Sequence, residues 1–98
     1  MVNVLNKIIE NKKESLKIIK KKNSLDSIEN KIKSLNNFFN FKEVIADNKG
    51  ISLITEIKKA SPSAGELVKD FNHLNIARMY VDNGATCLSV LTEEKHFL

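Results

Sequence analysis

The 98-residue sequence contains one cysteine, one proline, three glycines and no tryptophan. A single cysteine cannot form a disulfide within the chain, so the composition fits a reducing compartment and we expect a cytoplasmic protein. Cys87 stands in the apolar segment ATCLSV, where the simplest interpretation is a small buried side chain.

Long apolar runs are missing as well. No stretch of the sequence approaches the length that spans a bilayer, so we expect no membrane partner. The N-terminal residues MVNVLNKIIENKKE lack a continuous apolar segment with a small-residue cleavage site, and they contain acids but no arginine. We therefore expect neither a secretory signal nor an organellar transit peptide.

Motifs for metals and nucleotides are absent. The two histidines, His73 and His96, do not belong to clusters with the spacing of metal ligands, and each is interpreted as an exposed side chain. The sequence has neither a P-loop nor the glycine fingerprint of dinucleotide-binding proteins. We expect no metal and no organic cofactor.

Positive charge is concentrated in the first half of the chain. Residues 1–49 contain eleven lysines and six acids, whereas residues 50–98 contain five basic and six acidic residues. A basic face that includes Lys20–Lys22 could attract a phosphate polymer. Because no aromatic platform or groove-reading motif accompanies these lysines, we interpret them as a solvated surface and expect no nucleic-acid partner.

Apolar residues in the first half recur at helical spacing, which predicts two amphipathic helices. Asn23 or Ser24 is the predicted N-cap of the second helix, and a short helical turn is predicted around residues 42–47. We assign residues 1–49 to a helical extension. The two apolar stripes consist of Leu5, Ile8, Ile9, Leu16 and Ile19, and of Leu25, Ile28, Ile32 and Leu35.

The second half, residues 50–98, has an α/β pattern. Residues 51–58 predict a buried parallel strand, residues 74–83 a helix that stops at Gly84, and the segment ATCLSVLTEE a second strand followed by a polar loop. This order forms one βαβ unit with a parallel sheet. Two strands and one helix cannot cover both faces of a sheet, so we expect the chain to be part of something larger.

Polar side chains follow the first predicted strand. Glu56 and Lys58 occupy alternate positions and therefore point to the same face. Beyond them, the hydroxyls of Ser61 and Ser63 and the backbone of the Gly65 turn could hold a carboxylate or phosphate. The pattern alone leaves two interpretations open: a binding site, or a strand-end salt bridge followed by an ordinary turn.

Two segments, LITEIKKASPSAG and IARMYVDNGATCLSVLTEEKHF, strongly resemble the indole-3-glycerol phosphate synthase family of tryptophan biosynthesis. The resemblance implies an α/β fold: the start of a TIM barrel, (β/α)8, preceded by a helical extension. Ala64 and Thr55 depart from residues common in the family. The matching residues are Glu56, Lys58, Ser61, Pro62, Ser63, Gly65, Ile76, Ala77, Tyr80, Gly84, Ala85, Ser89, Val90, Leu91, Thr92, Glu93 and Phe97.

The resemblance also implies roles for particular residues. Lys58 would contact the substrate carboxylate or assist proton transfer, and Glu56 would orient Lys58 and the substrate hydroxyls. Ser61 would bind the anthranilate carboxylate with Ser63 nearby, and Phe97 would border the anthranilate ring. The implied reaction is the decarboxylating ring closure of 1-(2-carboxyphenylamino)-1-deoxyribulose 5-phosphate, a small phosphorylated substrate.

The chain resembles only about the first two-fifths of a barrel of about 250 residues. The family's general-acid lysine on the third strand, its later acid and amide groups, and its phosphate-binding loops have no counterpart here. We therefore expect the 98-residue segment to be inactive alone. The alternative is a non-catalytic truncated product, or a half-barrel that needs a partner chain. A different phosphate-binding barrel enzyme is disfavoured because two long motifs match in order.

Overall fold

The structure is a computed structural model and describes residues 3–98. Met1 and Val2, which begin the predicted extension, lie outside the described residues. The chain divides into two compact units, Met1–Phe39 and Asn40–Leu98. The helical turn predicted around residues 42–47 therefore groups with the strands that follow it. The division into a helical extension over residues 1–49 and a barrel segment over residues 50–98 stays a prediction.

The first unit consists of two helices, α1 (Val4–Lys22) and α2 (Leu25–Lys33). Asn3 caps α1 by accepting hydrogen bonds from the backbone N–H groups of Leu5 and Asn6 at 3.1 and 3.4 Å. Ser24 caps α2 by accepting from the N–H of Ser27 at 3.2 Å. These caps satisfy donors that have no partner within a helix, and Ser24 is confirmed as the predicted N-cap.

The apolar stripe of α2 is exposed within this unit. Leu25 and Ile32 are 71% and 53% exposed, although their spacing is that of a helix face directed toward a core. Several apolar side chains of α1, such as Ile18, are exposed too. An apolar helix face stabilises a fold only when other groups cover it, so this unit does not bury its own amphipathic surface.

The second unit contains three helices and four short strands. Its elements in chain order are α3 (Phe41–Asp47), β1 (Ile54–Ile57), β2 (Ala60–Ser61), β3 (Gly65–Glu66), α4 (His73–Asp82), β4 (Cys87–Val90) and α5 (Glu94–Phe97).

The strands β1 and β4 pair in parallel, and α4, which lies between them in sequence, packs against β1. The register places Ile54 beside Cys87 and Glu56 beside Ser89. Side chains of paired positions lie on the same face of the sheet. The predicted strand–helix–strand unit is therefore confirmed as an α/β arrangement, and Cys87 lies in it as a half-buried rather than fully buried side chain.

The end of α4 explains how the chain enters β4. The N–H of Ala85 donates to the carbonyl of Tyr80 at 2.9 Å, and the N–H of Gly84 donates to the carbonyl of Val81 at 3.1 Å. These two bonds form a Schellman motif, and Gly84 adopts the left-handed conformation that the motif requires, with φ of 92°. The predicted stop at Gly84 is confirmed.

Two small features differ from the sequence-based prediction. The strands β2 and β3 form a short antiparallel pair within the segment interpreted as a loop. The polar residues after β4 form the short helix α5 instead of a loop. Elements of two or four residues are too short to show hydrophobic periodicity, which is why the sequence pattern did not indicate them.

The sheet of the second unit is incompletely covered. Among residues 3–98, the buried apolar side chains are Ile57 and Ala60, each 3% exposed. Ile54 and Val90, on the same two strands, are 51% and 54% exposed. Parallel sheets are normally covered on both faces, so this sheet requires further protein against it. None of the helices in the described part of the chain combines the length and apolarity needed to cross a membrane.

Candidate functional site at the strand ends

The carboxyl end of β1 presents an ion pair. The Lys58 Nζ lies 3.3 Å from Oε1 of Glu56, and the two side chains are 34% and 46% exposed. Alternation along the strand directs both to one face, as the sequence predicted. Because each side chain keeps part of its surface open, an anionic group or a hydroxyl could still approach the pair.

A helix fixes the backbone beneath this ion pair. The Tyr80 hydroxyl, on α4, donates a 2.9 Å hydrogen bond to the backbone carbonyl of Glu56. On the other side, the N–H of Leu91 donates to the carbonyl of Ile57 at 3.1 Å. The position of the strand end is thus set by bonds to α4 and to the residue that follows β4, both distant in sequence.

The turn after β1 holds the two predicted serines together. The Ser61 Oγ accepts a hydrogen bond from the N–H of Ala64 at 3.1 Å and lies 3.5 Å from the Ser63 Oγ. The backbone of the hairpin is closed by the N–H of Leu67, which donates to the carbonyl of Lys59 at 2.8 Å. Gly65, with φ of 68°, adopts the left-handed conformation where the turn enters β3. Ser61 is half-buried, whereas Ser63 is exposed.

The helix α5 carries Phe97 and lies against β2, the strand that ends in Ser61. Phe97 is half-buried. The Glu93 side chain caps this helix, because its Oε2 accepts a 2.6 Å hydrogen bond from the N–H of His96. The structure therefore brings the elements that bear Ser61 and Phe97 next to each other, as a shared binding site requires.

The two histidines belong to helices, α4 and α5, and not to the strand end that carries the ion pair. His73 begins α4 and is exposed, as interpreted. The interpretation of His96 as an exposed loop residue is wrong, because α5 extends through it and leaves its side chain half-buried. Among residues 3–98, no group of three or more His, Cys, Asp or Glu side chains is arranged to hold a metal ion.

Sequence reasoning assigned no site role to Tyr80 or Glu93. Tyr80 lies on a helix, and no local pattern indicates that its hydroxyl reaches a strand carbonyl. Glutamate is not among the residues preferred at an N-cap, so little in the sequence indicated that the Glu93 carboxylate accepts from the N–H of His96. A helix of four residues is also too short to show hydrophobic periodicity.

The arrangement places a cation and a carboxylate at the carboxyl end of the parallel strand β1, and two hydroxyls in the hairpin that follows it. In α/β proteins, ligands bind at this edge of the sheet. The fold and the site therefore define an α/β protein whose strand ends are equipped to bind an anionic ligand. The cation and hydroxyls suit a carboxylate or phosphate, and the Glu56 carboxylate suits a substrate hydroxyl.

Comparison with known proteins agrees with this class and identifies the family. Residues 5–98 match the family model described as indole-3-glycerol phosphate synthase. The chain belongs to the indole-3-glycerol phosphate synthase family.

Curated relatives carry the same name. The chain is 45% identical over 96 residues to an indole-3-glycerol phosphate synthase of Clostridium acetobutylicum, covering 97% of this chain and 36% of the relative. A protein of the same name from Aliarcobacter butzleri is 42% identical over 97 residues, covering 96% of this chain and 37% of that protein. The chain thus spans little more than a third of the relatives it matches.

Proposed function

We propose that this chain supplies the extension and the first strands of an indole-3-glycerol phosphate synthase. The reaction would be the decarboxylating ring closure of 1-(2-carboxyphenylamino)-1-deoxyribulose 5-phosphate to indole-3-glycerol phosphate, carbon dioxide and water. The observation that carries the proposal is the Glu56–Lys58 ion pair at the strand end, within a family match that covers residues 5–98. The complete fold in this proposal is a (β/α)8 barrel.

The residue types suit the steps of this reaction. A proton must be delivered to the ribulose carbonyl oxygen as the aromatic carbon attacks, and an acid–base pair must then assist loss of water. Lys58 contacts the substrate carboxylate or assists proton transfer in this proposal. Glu56 orients the Lys58 ammonium, 3.3 Å away, and accepts from substrate hydroxyls.

The turn and α5 provide the binding groups. Ser61 binds the anthranilate carboxylate, since its hydroxyl can donate while its oxygen accepts from the N–H of Ala64. Ser63, 3.5 Å from Ser61 between the hydroxyl oxygens, extends the same polar surface. Phe97 borders the anthranilate ring from α5, which lies against β2.

The chain alone is proposed to be inactive. It spans 36% of the Clostridium acetobutylicum relative, and the resemblance places the main general acid and the phosphate-binding loops on later strands. Positioning groups without those partners give little catalysis. Turnover by the purified 98-residue chain would contradict this part of the proposal.

A second candidate is a half-barrel that acts only when a separate chain completes it. The exposed apolar residues Ile54 and Val90, on opposite faces of the sheet, are compatible with this candidate, because a second chain could cover them. Its test is co-expression with a chain that bears the remaining strands, followed by measurement of ring closure in the purified complex.

The proposal is tested with a fusion protein. The 98-residue chain is joined to the part of the Clostridium acetobutylicum relative that follows the matched segment, and ring closure is measured by the fluorescence of the indole product. We expect activity in this fusion protein and loss of activity in its Lys58→Met variant. A folded fusion protein without activity would overturn the proposal.

The remaining expectations belong to the same proposal. The protein acts on a small phosphorylated molecule, without a nucleic-acid or membrane partner and without a metal or organic cofactor. A cytoplasmic location rests on the single cysteine, Cys87, which suits a reducing compartment.

A further inference from the structure

The helix α5 is a weak element that carries an important side chain. It contains four residues, Glu94–Phe97, and a helix this short has almost no stability of its own. Phe97, which stands at its end, is half-buried. The position of the Phe97 ring therefore depends on whatever holds this single turn in place.

Glu93 supplies that support. Its backbone is extended, with φ of −78° and ψ of 112°, while its Oε2 accepts from the N–H of His96 at 2.6 Å. This is N-cap geometry with a charged acceptor, which makes the hydrogen bond stronger than a neutral one. Glu93 is half-buried, so water competes less effectively for the carboxylate than at an open surface.

The same helix lies next to the turn that contains Ser61 and Ser63. The helix α5 lies against β2, which contains Ser61, so a shift of α5 changes the distance between the groups that flank the substrate. We expect loss of the cap to leave α5 ordered in only a fraction of molecules. The apparent dissociation constant of a ligand rises by the inverse of that fraction.

We propose that Glu93 is a positioning residue for substrate binding, which acts by capping α5 and thereby fixing Phe97 against the Ser61 turn. The inference rests on the proposed function, because it assigns Phe97 to the anthranilate ring. In this proposal Glu93 acts through α5 and not through a contact with the substrate. It raises the fraction of molecules in which α5 is ordered and the site can bind the substrate.

The test uses the fusion protein with the variants Glu93→Ala and Glu94→Ala. Each removes one carboxylate at neighbouring positions, but Glu94 is exposed and is the first residue of α5 rather than its cap. We expect Glu93→Ala to raise KM about fivefold with little change in kcat, as loss of an N-cap predicts. Glu94→Ala keeps the KM of the parent protein. Equal KM values for the two variants would overturn the inference.

Two further variants separate positioning from direct contact. Glu93→Asp keeps a good capping oxygen and is expected to restore KM to within about twofold of the parent value. In a Phe97→Ala background, Glu93→Ala is expected to add little, because both changes remove the same contact. The inference is overturned if Glu93→Asp has the KM of Glu93→Ala. It is also overturned if the effects of Glu93→Ala and Phe97→Ala on KM are fully additive.

A measurement without substrate distinguishes failure of this inference from failure of the proposed function. Hydrogen exchange of the His96 amide is measured in the folded fusion protein. We expect exchange about fivefold or more faster in Glu93→Ala and unchanged in Glu94→Ala. Unchanged exchange in Glu93→Ala would overturn the capping role, whatever the activity of the protein.

Discussion

The Tyr80 hydroxyl donates a 2.9 Å hydrogen bond to the backbone carbonyl of Glu56. The bond joins the helix α4 to the strand that ends in the Glu56–Lys58 ion pair, across a separation of 24 residues in the chain. Because it engages backbone rather than side chain, the bond leaves the Glu56 carboxylate available to Lys58. The crossover helix therefore helps to hold the strand end as well as to cover the sheet.

Removing this hydroxyl is expected to loosen the strand end. Tyr80→Phe keeps the aromatic ring and deletes one hydrogen bond, so we expect a loss of about 1 kcal/mol of unfolding free energy. The measurement is urea denaturation of the fusion protein, with the slope of the transition required to stay constant. An unchanged midpoint would show that water replaces the tyrosine hydroxyl without cost.

Substitution of Lys58 tests the proposed chemistry. Lys58→Met keeps the length of the side chain and removes the ammonium, and we expect kcat to fall about a hundredfold or more in the fusion protein. Lys59→Met is the matched control, since it removes the neighbouring ammonium and keeps the ion pair between Lys58 and Glu56. A similar loss in both variants would mean that general charge, not the ion pair with Glu56, supports activity.

The two serines are expected to differ in importance. Ser61 is half-buried and accepts from the N–H of Ala64, whereas Ser63 is exposed. A hydrogen bond to a charged group stabilises a complex by about 1.5 kcal/mol or more. We therefore expect Ser61→Ala to raise KM about tenfold. Ser63→Ala should raise KM by a smaller factor. Steady-state kinetics of the fusion protein measures both, and a larger effect at Ser63 would reverse the assignment of the carboxylate contact.

Two glycines provide a matched pair for stability. Gly84 has φ of 92° in the Schellman motif, whereas Gly50 has no left-handed backbone angle, and a Cβ at either position meets nothing within 4 Å. We expect Gly84→Ala to cost about 1 kcal/mol or more, because the backbone angle alone opposes a side chain. Gly50→Ala should be neutral or slightly stabilising. The measurement is the thermal unfolding midpoint of each variant in the fusion protein. Equal midpoints would show that the backbone angle of Gly84 does not oppose a side chain.

The sequence predicted the elements whose patterns are long. The two amphipathic helices, the βαβ order and the Gly84 stop follow from periodicity and from glycine chemistry, and the structure confirms each of them. The alternate positions of Glu56 and Lys58 on a strand also predicted that their side chains lie side by side. Local rules suffice for such features because neighbouring residues determine them.

The features that escaped prediction depend on contacts between distant residues or on very short elements. Nothing near Tyr80 indicates that its hydroxyl reaches the Glu56 carbonyl, since that bond exists only after α4 has packed on β1. The half-buried state of His96 likewise follows from the formation of α5, which the Glu93 cap supports. The roles proposed for Ser61 and Phe97 came from family resemblance, and the packing of α5 against β2 gives them a common location.

The parallel pairing of β1 with β4 leaves a second side of each strand without a strand partner among residues 3–98. Unpaired N–H and C=O groups along a strand accept any other strand of suitable register, including one from another copy of the same chain. The feature that would allow a barrel to grow from this unit therefore also favours self-association when the unit stands alone. Its behaviour in solution should depend on concentration, and any protein that covers these open strand edges would protect the unit from aggregation.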